Sequence, residues 1–223
     1  DNSRIRLAMS KEEMLEAFAD KFTVIMKVWP DTAQPKSWSN IFNIGKSYGL
    51  LCSTGQSKYD GKLELSVRTP KSTSSHLYNI YLPENTYSTL AFTRDGDSFT
   101  VHVIDKEGKL QSSTATTNGK AVWVSNYFSF GAGYDDDNYF NGYLDDIRVY
   151  GGVALSKEEI LSSYDHPLTG NEKGLFLYWP MDEGIKNQTT AFDYSRNNGV
   201  ANGRHGEIMG GEPASDCIPP SSM

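Results

Sequence analysis

Residues 141–160 read NGYLDDIRVYGGVALSKEEI, a strand-like run followed at once by a helix start. Two adjacent aspartates, Asp145 and Asp146, interrupt the run. Successive side chains of a strand point to opposite faces, so neighbouring carboxylates in a regular strand cannot both reach one substrate atom. Leu144 and Ile147 are both apolar yet three positions apart, which under strict alternation puts one of them on the solvent face. A bulge at Asp145–Asp146 turns both inward and aims a carboxylate sideways. Two roles fit that carboxylate: an acceptor for loop backbone or a partner of Arg148, or a ligand in an oxygen-rich calcium site. Ser156 and Glu159 then stand at the S-x-x-E spacing in which each side chain satisfies the other's backbone N–H at a helix start.

The same signal recurs at Ser10 and Glu13, predicting a first short helix. Between the helices, short strand patterns follow one another. FTVIMKVWP (22–30) is β-branched and aromatic and stops at a proline. In GKLELSVR, Leu63, Leu65 and Val67 alternate with polar residues, the period of a sheet with one wet face. TYSTLAFTRDGDSFTVHVIDKEGK is the clearest hairpin, because Asp95 and Gly96 tolerate the positive φ that tight turns require. The pattern predicts an all-β fold, two antiparallel sheets packed as a sandwich with two short helices.

The net charge of −7 over 223 residues, with no Lys/Arg run, argues against nucleic acid or an anionic membrane surface as partner. No apolar run approaches the roughly 18 residues of a membrane span, so direct insertion is not expected. The N-terminus lacks the order of a signal peptide, and an export signal is expected to have been removed or to lie upstream. Cys52 and Cys217 fit no metal spacing; they are either two buried thiols or a disulfide tying the tail to the body.

The sandwich body is assigned to residues 1–165 and a C-terminal segment to 166–223, joined by the linker-like HPLTGNEKG. Four segments of the body resemble, in order, the laminin-G-like, concanavalin A-like jelly-roll domains of bacterial surface proteins: FTVIMKVWP (22–30), LAFTRDGDSFTVHV (90–103), FSFGAGYDDDNYFNGYLDDIRVY (128–150) and ALSKEEI (154–160). Family members usually begin with a Tyr-Trp-apolar-Asp-Glu-Gly segment and an Asp-x-Ser-Gly motif. Here the similar YWPMDEG (178–184) and FDYSRNNG (192–199) come last, and Arg196 replaces the motif's glycine. The tail is either a second, truncated copy or a permuted first strand. A fragment of about 50 residues cannot bury its own apolar face, which favours folding back onto the sandwich.

The resemblance implies a non-catalytic, exported or cell-surface module that recognises glycan, with protein-binding adhesion as the alternative. Glycosidases of this architecture commonly carry Glu-x-Asp-x-x-Glu, and KLELSVRT offers only Glu64. The resemblance also implies calcium, with Asp193 and Asn197 beside Asp145 or Asp146 as ligands; Arg196 opposes it. For the glycan, aromatic platforms beside polar groups are expected near loops: Trp38, Tyr59, Tyr134, Asp136 and Tyr139. The four histidines have no ligand-like spacing.

Overall fold

The computed structural model describes residues 4–18, 20–31, 39–45, 48–52, 62–68, 73–116, 127–133, 138–183, 188–196 and 203–210. They form two stacked antiparallel sheets. In chain order the elements are β1 (Arg4–Ala8), α1 (Lys11–Phe18), β2 (Lys21–Pro30), β3 (Ser39–Ile44), β4 (Tyr48–Cys52), β5 (Lys62–Arg68), β6 (Thr73–Tyr81) and β7 (Ser88–Asp95). They continue with β8 (Ser98–Ile104), β9 (Leu110–Thr116), β10 (Tyr127–Phe130), β11 (Gly142–Gly151), α2 (Lys157–Ser163), β12 (Leu175–Trp179), β13 (Thr190–Ala191) and β14 (Gly206–Met209).

The eight-stranded sheet runs β13-β14-β1-β10-β3-β4-β5-β6, and the six-stranded sheet β12-β11-β2-β7-β8-β9. The C-terminal strands thus sit on the outer edges of both sheets: β12 pairs with β11, and β14 with β1.

Inward-facing residues of both sheets meet in one core. Phe22, Phe42, Phe92, Phe128, Phe130 and Trp179 are among its largest rings, packed mostly edge-to-face or tilted as their quadrupoles favour. α1 closes one end. Its Met14, Ala17 and Phe18 are buried, and Phe18 meets Phe22, Phe128 and Phe176 at 5.3, 5.5 and 5.9 Å. Both expected helix caps form: Ser10 Oγ accepts from Glu13 N while Glu13 accepts from Ser10 N, and Ser156 and Glu159 repeat the exchange. α2 covers part of the outer face of the six-stranded sheet, where Ile25, Ala91, Ile104, Tyr150 and Ile160 make a second, smaller core.

Two expectations shift. The hairpin turn is Gly96–Asp97, with φ +62° at Gly96 only; Asp95 still belongs to β7, opposite Ser98, so the turn lies one residue later than the pattern suggested. Part of the outward face of the eight-stranded sheet is polar yet buried, while Asn79 and Tyr81 on β6 are exposed. Glu64 is 7% exposed, and Asn43 and Ser129 are buried as well. Alternation shows which way a side chain points, not what lies over it. Among the described residues no helix is long and apolar enough to cross a membrane.

Candidate functional site

The paired aspartates sit in a bulge. Asp145 lies opposite Lys27 and Arg148 opposite Ile25, so Asp146 and Ile147 together face the single residue Met26 of β2. Asp146 takes φ +50°, a left-handed conformation that aspartate tolerates better than most residues. The extra residue resets the alternation. Leu144 packs against the main core and Ile147 is fully buried in it, so both turn inward.

The freed Asp146 carboxylate grips Arg148 with both oxygens: Nε donates to Oδ1 at 2.8 Å and Nη2 to Oδ2 at 2.5 Å. Arg148 is 1% exposed and spends its remaining N–H groups on the carbonyls of Ser163 (2.7 Å) and His166 (2.9 Å). Those carbonyls lie at the C-terminal end of α2 and in the turn beyond it, where a buried cation meets the negative end of the helix. Asp145, opposite Lys27, accepts from the Asp146 N–H at 2.9 Å. Burial pushes its carboxyl pKa up, opposed by that hydrogen bond and by Lys27. Each carboxylate is spent inside the protein, Asp146 on Arg148 and Asp145 on the Asp146 N–H, with Lys27 near both.

Asp193 is a second internal anchor. Its Oδ1 accepts from the N–H of Tyr178 (3.0 Å) and Ser195 (2.9 Å), and its Oδ2 from Ser195 Oγ (2.9 Å) and the Arg204 N–H (2.8 Å). Arg204 in turn lies over the Phe176 ring at 3.7 Å and pairs with Glu13 of α1 at 3.5 Å. Asp193 thus lies along the free edge of β12, whereas the bulge forms on the side of β11 that faces β2. The strand β12 stands between them. Among the described residues, no three His, Cys, Asp or Glu side chains converge as a metal site, and Asn197 lies outside those residues. The acceptors of Asp146 and Asp193 meet protein donors, as those of structural carboxylates do.

Of the expected ligand residues, Tyr139 is half-buried, its segment bridged to Asn40, with its hydroxyl accepting from Arg4 at 3.4 Å. Trp38, Tyr59, Tyr134 and Asp136, like Cys217, lie outside the described residues, as does the side chain of Cys52.

A groove of about 320 Å³ opens instead beside β12. Tyr178, Asp182, Glu183, Tyr194 and Arg196 line it, with Leu168 and Thr169 from the linker forming the opposite wall. The strand aims Tyr178 outward while Leu177 and Trp179 enter the main core. After Pro180 the chain turns at Met181 (φ +61°), which packs on the core and leaves Asp182 exposed. Segment 193–196 continues the sheet edge: Tyr194 N donates to Tyr178 O at 2.8 Å and Arg196 N to Gly170 O at 2.7 Å. This holds Tyr194 at the rim, 49% exposed, with Glu183 near enough to be felt by its hydroxyl. Partial desolvation first, and Glu183 second, raise the Tyr194 pKa; burial first, and Asp146 second, do the same to Tyr178. Both phenols therefore stay neutral at physiological pH. Periodicity could not reveal this groove, because it draws on three segments; the one available signal was the carboxylates following YWPM.

The sandwich, its bulged strand and its capped helix agree with a sequence profile described as the concanavalin A-like lectin/glucanases superfamily, of the Laminin_G_3 type, which matches residues 6–161. The chain belongs to this superfamily. Solved structures share the fold at low identity. A protein of Bacteroides ovatus proposed to bind carbohydrate is 16% identical with a TM-score of 0.66, over 94% of this chain and 56% of its own. A pentraxin resembling serum amyloid P from Limulus polyphemus is 14% identical with a TM-score of 0.52, over 73% and 76%. The binding domain of botulinum neurotoxin serotype G is 16% identical with a TM-score of 0.52, over 72% and 40%. The superfamily member described here thus spans little more than half of the Bacteroides ovatus protein. No curated protein matches it in sequence.

Proposed function

We propose that the chain is a non-catalytic carbohydrate-binding module working outside the cell, and that the groove beside β12 receives the sugar. The observation that carries this is the half-exposed ring of Tyr194 at the rim of a groove that also presents Asp182, Glu183, Thr169 and Arg196. A pyranose has an apolar face and a rim of hydroxyls, so it needs an aromatic surface with charged and polar groups around it. The carbohydrate binding proposed for the Bacteroides ovatus neighbour supports the same reading. How the aspartate pair is spent supports the non-catalytic reading: Asp146 on Arg148 and Asp145 on backbone.

A glycan array followed by calorimetry tests it. The chain is expected to bind one glycan class, and Tyr194→Ala to weaken that binding roughly tenfold, as loss of a stacking ring does. Failure to bind any glycan, or full affinity in Tyr194→Ala, would overturn the proposal.

A further inference from the structure

Resting on that reading of the groove, we infer that the groove is one end of a longer track, and that the ligand is a linear oligosaccharide running across the outer face of the six-stranded sheet to Trp29 and Tyr143. The two residues face each other across β2 and β11, with ring centroids 5.2 Å apart and planes at 60°. Tyr143 is 42% exposed and Trp29 braces it edge-on. Gly142 makes the pairing possible. A Cβ there would stand 2.2 Å from the Trp29 carbonyl oxygen, so only glycine lets the strands approach at this point.

The platform and the groove lie on one face. Outward positions of β11 run Tyr143, Asp145, then Arg148 beyond the bulge, and Arg148 faces Tyr178 of the groove. That is five residues with one absorbed by the bulge, or ~13 Å at ~3.3 Å per residue, more than one sugar ring covers. Between the two ends stand Lys27 and Asp145, cross-strand partners, and Asp182, whose charge is felt at Asp145. Aromatic platforms separated by charged hydrogen-bonding groups suit successive rings of one glycan. α2 covers the middle of this face over Ile25, Ala91 and Ile104, and the track lies on the β11–β2 end beyond it, which no described element covers. A peptide adding itself as a strand would need an unpaired edge, but the edge of β12 is already taken by 193–196.

Calorimetry with cello-, chito-, manno- and xylo-oligosaccharide ladders, from disaccharide to hexasaccharide, tests the track on the intact chain. Affinity is expected to rise with length until the track is filled. Tyr143→Ala should remove that gain, roughly three- to tenfold on the longest chains, while leaving the disaccharide unaffected. Tyr143→Phe should keep most of it, with both variants melting as wild type does. Affinity independent of length, or a Tyr143→Ala variant equal to wild type on every ladder, would refute the track. A Tyr194→Ala variant equal to wild type would refute the groove itself, and with it the track.

Discussion

The bulge at 145–148 and the groove at 178–196 use the same kinds of residue for opposite ends. In the bulge, Asp146 meets Arg148 with both oxygens, and Arg148 is 1% exposed with its other donors on two carbonyls. In the groove, Tyr194 is half exposed and Asp182 faces solvent. An aspartate whose lone pairs are filled by protein donors builds the fold, whereas one left to solvent beside an aromatic ring has capacity for a ligand. Residue type alone does not separate the two; the donors around each carboxylate do.

The largest test of this contrast is Arg148→Ala. It strands a buried carboxylate and two carbonyls, and urea unfolding should show a loss of about 3–5 kcal/mol. Arg148→Lys should recover only part, since one ammonium cannot reproduce the fork. A loss no larger than that of a surface substitution would mean that the bulge anchors nothing.

Gly206→Ala addresses how the C-terminal segment seats on the sandwich. A Cβ at Gly206 would come within 2.6 Å of the Trp179 ring and 2.7 Å of Ile5. Overpacking of this kind should cost about 1–3 kcal/mol in the same assay.

A smaller effect separates the two aspartates of the pair by pH. Burial raises the folded-state pKa of Asp145 above its ordinary 3.8, so it resists ionisation more when folded than when unfolded. The resulting cost is absent below pH 3.8, grows as pH rises towards the folded value, and stays constant above it. Asp145→Asn, whose amide oxygen still accepts from Asp146 N–H, should therefore be more stable than wild type at pH 7 and equal to it well below pH 3.8. Glu13 runs the other way: its pKa is lowered mainly by the Ser10 backbone N–H, so its contribution is present at neutral pH and lost below 4.5.

Much of this architecture was legible in the chain. The spacing of Leu144 and Ile147 exposed the bulge, Arg148 was a named partner for its carboxylate, and the S-x-x-E pairs marked both helices. The strands β1, β13 and β14 were not legible. β1 offers only Ile5 and Leu7 between arginines, and β13 and β14 are two and four residues, too short for a period to show. The groove was illegible for another reason. Leu168, Tyr178 and Tyr194 meet only because 193–196 pairs along β12, and no local pattern encodes that register. The Trp29–Tyr143 pair is likewise a product of strand register, 114 positions apart in the chain (143 − 29).

The contrast between spent and open carboxylates is tested most directly by measuring, on one pair of variants, both melting temperature and affinity for the glycan identified on the array. Tyr194→Ala should melt within a few degrees of wild type and bind roughly tenfold more weakly. Asp193→Ala should melt well below it, because four hydrogen bonds are lost, one to Tyr178 of β12, two to Ser195 and one to Arg204. A Tyr194→Ala variant that lost stability but kept its affinity would contradict the account, placing Tyr194 in the scaffold and the sugar elsewhere.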